Sequence, residues 1–139
     1  MSSKIAILLD TNILLDIALR RRGYDESAEI FRGISAWKYI AFVAAHSLPT
    51  VFYYTSKALN ISESKEYIRN LLRLVEVLTL DHSSTCIALE SDMEDFEDAL
   101  VDICAVSGWV DAIVTANITD FVSAQTPAYT AADFLKKFG

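Results

Sequence analysis

The chain has 139 residues, 53% of them hydrophobic, with two Pro and four Gly; this describes one globular domain with a sizeable core, not a disordered or fibrous chain. Its formal charge of −7 is unevenly placed: residues 1–73 carry ten Lys or Arg against seven acids, whereas twelve acids and no Lys or Arg fall between Arg73 and Lys136. That excludes a generic nucleic-acid binder with a continuous basic face, and the acidic half would repel a polyanion unless divalent cations sat within it.

The first element is the apolar run Ile5–Leu9, a short buried strand that ends directly on Asp10. Asp10 also breaks the run too early for a membrane span or the apolar core of a usual signal peptide. A helix is expected over Ile13–Leu19, capped by Thr11 or Asn12. After the Arg20–Gly23 turn, Asp25 can cap a second helix with Ala28, Phe31 and Ile34 on one face. Tyr39–Ala44 reads as a strand, followed by a helix near Ser47–Ala58 with Pro49 in its first turn. Asn60 and Glu63 suit the start of a helix whose stripe is Tyr67, Ile68, Leu71, Leu72 and Val75.

Val77–Leu80 is the third strand, and a short helix near Ser84–Ser91 follows. Phe96, Ala99, Leu100, Ile103 and Cys104 recur at helical spacing in Asp95–Ser107, with Gly108 as the stop. Val110–Thr115 is a fourth strand, Ala128–Tyr129 a short fifth, and Ala131–Phe138 a terminal helix. Strands alternating with helices predict a three-layer α/β/α domain around a central parallel sheet. Cys86 and Cys104 lack metal-type spacing and read as reduced core thiols of a cytoplasmic protein.

The carboxyl ends of strands form the ligand crevice in such sheets, so acids placed there carry the functional argument. Asp10 follows the first strand; it could cap the next helix or, if Thr11 or Asn12 caps, stand free as an oxygen ligand for Mg²⁺ or Mn²⁺. Asp16, further along that helix, reads as solvated. Asp95, Asp98 and Asp102 lie at i, i+3 and i+7 along one helix edge. The helix dipole accounts for Asp95 and Glu97 better than for Asp98 or Asp102. Thr115, Asn117 and Asp120 place further short oxygen ligands after the fourth strand, while Asp111 starts that strand at the opposite end and reads as structural.

Three segments in order, Asp10-Thr11-Asn12-Ile13-Leu14-Leu15-Asp16, Phe96-Glu97-Asp98-Ala99-Leu100 and Ile113–Phe121, resemble a PIN domain over nearly the whole chain. The resemblance implies a Rossmann-like α/β/α fold and a Mg²⁺- or Mn²⁺-dependent endoribonuclease, often the VapC-type toxin of a toxin–antitoxin pair. It carries the first family acid onto Asp10, the third onto Asp98, the fourth onto Asn117 with Asp120 nearby, and the strand-end hydroxyl onto Thr115. The second family acid, a Glu, is replaced by Thr50, and the Arg after the strand-end Thr is replaced by Ala116. Asp10 and Asp98 are then the expected metal ligands, with Asn117 and Asp120 completing the catalytic set. Asp102, Thr50, Asn12 and Thr115 stand as compensating or supporting groups.

Arg20, Arg21 and Arg22 could steer RNA phosphates toward the crevice, or form a solvated loop. His46 and His82 are the remaining acid–base candidates, with a structural role the plainer reading. Trp37, Tyr53, Tyr54 and Trp109 could stack on bases, but their spacing suits core packing. Expected partners are RNA, an antitoxin protein and a second copy of the chain, with no membrane. The competing reading is a catalytically weakened PIN module that binds nucleic acid or protein. A phosphotransfer domain also uses an Asp after its first strand. It is disfavoured because Asn12 stands where a further acid is needed, and no Lys occurs between Lys65 and Lys136.

Overall fold

The computed structural model describes residues 4–139. Its five strands, β1 (Ile5–Leu9), β2 (Tyr39–Ala44), β3 (Glu76–Leu78), β4 (Ala112–Val114) and β5 (Ala128–Tyr129), form one parallel sheet in the order β3-β2-β1-β4-β5. Six helices lie between them, α1 (Thr11–Leu19), α2 (Tyr24–Ser35), α3 (Ser47–Ala58), α4 (Ile61–Leu72), α5 (His82–Leu89) and α6 (Phe96–Ser107), and α7 (Ala131–Phe138) follows β5. A 3₁₀ turn at Ile118–Phe121 follows β4.

The two-residue period of a strand divides the core. Ile7 and Leu9 of β1, Tyr39, Ala41 and Val43 of β2, and Ala112 and Val114 of β4 pack with α1, α2, α3, α4 and α7. Leu8, Ala44 and Ile113 face the other way, onto α6, Ala88 of α5 and Phe121. Ile7, Leu8 and Leu9 are all fully buried, each contributing about 1.5–3 kcal/mol of burial energy. A strand covered on both faces has no polar side, which is why β1 reads as an unbroken apolar run.

β1 lies between β2 and β4, where the strand order reverses, so its carboxyl end opens on the switch-point crevice. The alignment of β4 on β1 pairs Leu9 with Val114. At the opposite edge Asp111 replaces a strand partner: its N–H donates to the Ala6 carbonyl at 2.8 Å, and its Oδ2 accepts from the Ala6 N–H at 2.8 Å. Asp111 is thus structural, as its position suggests.

Several expectations need correction. α1 begins at Thr11 and its N-cap is Asp10, while α2 is capped by Gly23 and holds Asp25 in its first turn. A Gly at φ +90° sharpens that turn more than an Asp could, since the left-handed region disfavours a Cβ. β3 and β4 are shorter than their apolar runs. Cys104 is buried but Cys86 is exposed. Trp37, Tyr53, Tyr54 and Trp109 are not core residues: Trp37 and Trp109 are 74% and 88% exposed, and both tyrosines are about half exposed. Among the described residues no helix is long and apolar enough to cross a membrane.

Candidate active site

Asp10 stands where β1 hands over to α1, and its carboxylate serves both elements. Oδ1 accepts from the Thr11 N–H at 2.9 Å, capping the helix; Oδ2 accepts from Thr115 Oγ1 at 2.9 Å and from Asn12 Nδ2 at 3.2 Å. Capping and site placement are therefore not alternatives here. The network closes on itself: Asn12 Oδ1 accepts from the Ala116 N–H at 2.8 Å, and Thr115 Oγ1 accepts from the Asn117 N–H at 3.1 Å. Asn12 and Thr115 hold Asp10 in one orientation and tie α1 to the segment after β4.

Asp10 is 4% exposed, and burial raises its pKa above the usual carboxylate value. The bonds from Thr115, Thr11 and Asn12, and the charge of His46, oppose that rise without cancelling it. His46 stands at the N-cap position of α3, with its Nε2 buried and without a hydrogen-bond partner among the described residues. Thr50, in the first turn of α3, is half-buried.

Asp98 occupies the first turn of α6, whose N-cap Asp95 accepts from the Asp98 N–H at 3.0 Å. Its own carboxyl is pushed up to about 7, first by burial and then by the charges of Asp10, Asp95, Asp120 and Glu97. Every charge acting on it is negative. The fold thus brings Asp10, Asp98 and Asp120, from three separate segments, within electrostatic reach of one another. Asn117 and Asp120 are exposed after β4.

Two acids have other employment. Asp102 is 2% exposed and faces the loop before β5, accepting from the Gln125 N–H at 2.8 Å and the Thr126 N–H at 3.0 Å. Helical spacing places it below Asp98, but both its oxygens are taken up holding that loop, so it does not restore a charge to the crevice. Asp16 is not solvated: it is buried and paired with Arg21 at 3.1 Å.

The three arginines differ. Arg20 lies over the Tyr24 ring, 4.8 Å from its centre, Arg21 is tied to Asp16, and Arg22 is exposed with no ion pair among the described residues. His82 lies 3.8 Å from Cys86 Sγ on α5.

These donors suit a hard divalent cation: carboxylate and amide oxygens dominate, and an uncompensated negative cluster has most to gain from one. Among the described residues no three His, Cys, Asp or Glu side chains form a ready-made cage. Mg²⁺ would fit such a site by resting on two carboxylates and keeping much of its water.

Comparison with known proteins fits this arrangement. A family model described as "PIN domain" matches residues 6–119. No curated protein sequence matches. Among solved structures, VapBC2 of Rickettsia felis bound to a promoter DNA fragment is 16% identical, covering 91% of this chain and 98% of that one at a TM-score of 0.73. DNA-bound VapBC of Salmonella typhimurium is 17% identical over 91% and 98%, with a TM-score of 0.69. VapC20 of Mycobacterium tuberculosis, a sarcin-ricin-loop-cleaving toxin, is 12% identical over 77% and 86%, with a TM-score of 0.62. At these identities the structural likeness concerns the fold. The match to the family model runs from β1 through β4 and takes in Asp10, Asp98 and Asn117, and the chain belongs to the PIN domain family.

Proposed function

We propose that this PIN domain is a divalent-metal-dependent endoribonuclease and the toxin of a toxin–antitoxin pair. The observation that carries the reading is the Asp98 carboxyl, held against the negative charges of Asp10 and Asp120. Uncompensated repulsion is costly to retain in a fold unless a cation relieves it.

Asp10 and Asp98 would hold Mg²⁺ or Mn²⁺, with Asn117 and Asp120 at its outer margin. When bound, the ion supplies positive charge against the phosphorane-like state and lowers the pKa of the attacking water. The chain's own part is placement. Thr11, Asn12 and Thr115 fix the Asp10 carboxylate, so the site is preorganised. Asn117 is anchored through its backbone N–H to Thr115, leaving its exposed amide free to meet the strand being cut. An antitoxin protein would block the crevice, a second copy of the chain would form a homodimer, and the protein would act in the cytoplasm.

One observation favours a second reading, a weakened PIN module that only binds: Thr50 brings no charge where the family carries Glu, and Ala116 none where Arg is common. Cleavage of a mixed RNA pool with Mg²⁺ or Mn²⁺ separates the two. The nuclease reading expects metal-dependent cutting by the wild type that disappears in Asp10→Asn and Asp98→Asn. No cutting by a folded wild type with either metal would refute it in favour of the binding module.

A further inference from the structure

Beside the acidic crevice, on the side of α2 and α7, lies an open cavity of about 660 Å³. Asn12 and Asn117 line it, so it is continuous with the network around Asp10. Its volume falls within the range of about 300–1,000 Å³ typical of small-molecule sites. Two features mark it as built to receive something.

The first is Ser27 in its wall. Ser27 is 1% exposed, and its Oγ has no hydrogen-bond partner among the described residues. A buried hydroxyl left unpaired is costly unless a ligand completes it. The second is a set of donors at the mouth. α2 starts here on Gly23, which offers no side chain to the first turn; the Tyr24 N–H donates to the Arg21 carbonyl at 3.0 Å, and the N–H groups after it have no cap. The start of α7 at Ala131 and Ala132 also borders the cavity. Arg21 and Arg22 stand at the same edge, in a chain with no Lys or Arg between Arg73 and Lys136.

Asp16 is neutralised by Arg21, an ion pair that also braces the Arg20–Gly23 turn, which leaves the exposed Arg22 and Glu26 as the free charges of the rim. Ile13 and Ala131 supply an apolar floor.

We propose that this cavity is a subsite for one nucleotide of the RNA strand, adjacent to the bond cut at Asp10 and Asp98. The base lies on Ile13 and Ala131 with Ser27 Oγ as its hydrogen-bond partner, and the phosphate is held by Arg22 and the amides at the start of α2. The assignment to RNA rests on the nuclease reading; the presence of a nucleotide site does not. A strand crossing the acidic crevice needs cations beyond it, and this rim supplies them.

The test is a titration of ¹⁵N-labelled protein, free of divalent metal, with each of the four 5′-ribonucleoside monophosphates and with inorganic phosphate. Saturable shifts are expected at the Gly23, Ser27 and Ala132 amides for at least one nucleotide, and weaker shifts without Ser27 for phosphate. Arg22→Ala should weaken nucleotide binding about tenfold. It should also reduce the salt dependence of binding a short single-stranded RNA by about 0.7 in log–log slope. Ala132→Trp, an exposed position at the mouth, should abolish nucleotide binding and raise the KM for RNA cleavage more than it lowers kcat.

Shifts absent for all four nucleotides, or unchanged in Ala132→Trp, would overturn the subsite. Loss of a protein partner in Ala132→Trp, with RNA binding intact, would overturn it too by assigning the cavity to a protein. Nucleotide binding here without RNA cleavage by the wild type would leave the subsite standing and remove the nuclease.

Discussion

Replacing Asp98 by Asn should make the metal-free protein more stable at pH 8 and change it little at pH 4. In the folded chain the Asp98 carboxyl is raised from 3.8 to about 7, by burial and by Asp10, Asp95, Asp120 and Glu97. At about 1.36 kcal/mol per tenfold change in proton affinity, that separation sets a ceiling of roughly 4 kcal/mol. Asp98 is only half-buried, so solvent screening reduces the expected effect to about 1–2 kcal/mol. Its sign follows from the folded value being the higher one. Well below pH 3.8 the group is protonated folded and unfolded and carries no penalty, and at pH 4 the penalty is only beginning. Between pH 4 and 7 the unfolded chain ionises first, the wild type loses stability, and the loss is complete above pH 7. Urea denaturation in EDTA at pH 4, 6 and 8 reads this directly as a wild-type-to-variant difference that opens with pH. Mg²⁺ should then stabilise the wild type at pH 8 and have little effect on the variant. A difference that is flat with pH, or a variant less stable at pH 8, would refute the electrostatic account of this site.

Other outcomes follow from the same geometry. Asp102→Asn leaves a buried N–H of the Gln125–Thr126 loop facing an amide donor, so stability should fall by about 2–4 kcal/mol in urea denaturation, with Mg²⁺ affinity by calorimetry unchanged. Thr115→Val removes the donor to Asp10 and the acceptor for the Asn117 N–H; a loss of about 1–3 kcal/mol is expected, together with reduced metal-dependent cleavage. Thr50→Glu adds a carboxylate at the start of α3, and calorimetry should register tighter Mg²⁺ binding. Unchanged affinity would mean that position 50 does not reach the ion.

The α/β alternation was legible, because strands buried on both faces are uninterrupted apolar runs and α2, α4 and α6 each show a helical period. β2, α3, β5 and α7 carry the boundaries that their residues predict. What failed did so for identifiable reasons. A capping acid and a ligand acid look alike in a sequence, and Asp10 uses different oxygens for its helix and for Thr115. Asp102 repeats the spacing of Asp98, but spacing along a helix says nothing about the loop at Gln125–Thr126 that folds back onto it. Asp16 reads as solvated in the sequence because its partner, Arg21, lies beyond a turn whose left-handed residues composition does not place. The aromatic residues show the converse limit: periodicity identifies a face, not whether another element covers it.

The bond pair between Asp111 and Ala6 reaches well beyond its own edge of the sheet. β4 is three residues long, too short for its ladder alone to choose one register against β1. Parallel strands that slip in steps of two keep the same side chains inward while moving by about 7 Å. A two-residue slip would preserve the packing of Ile113 yet carry Thr115 out of reach of Asp10. Asp111 removes that freedom, since its carboxylate can meet the Ala6 N–H in one alignment alone. It acts as the zero mark of a ruler whose far end is the candidate site, and an Asp111→Ala protein would keep its core while losing the alignment of Thr115 with Asp10.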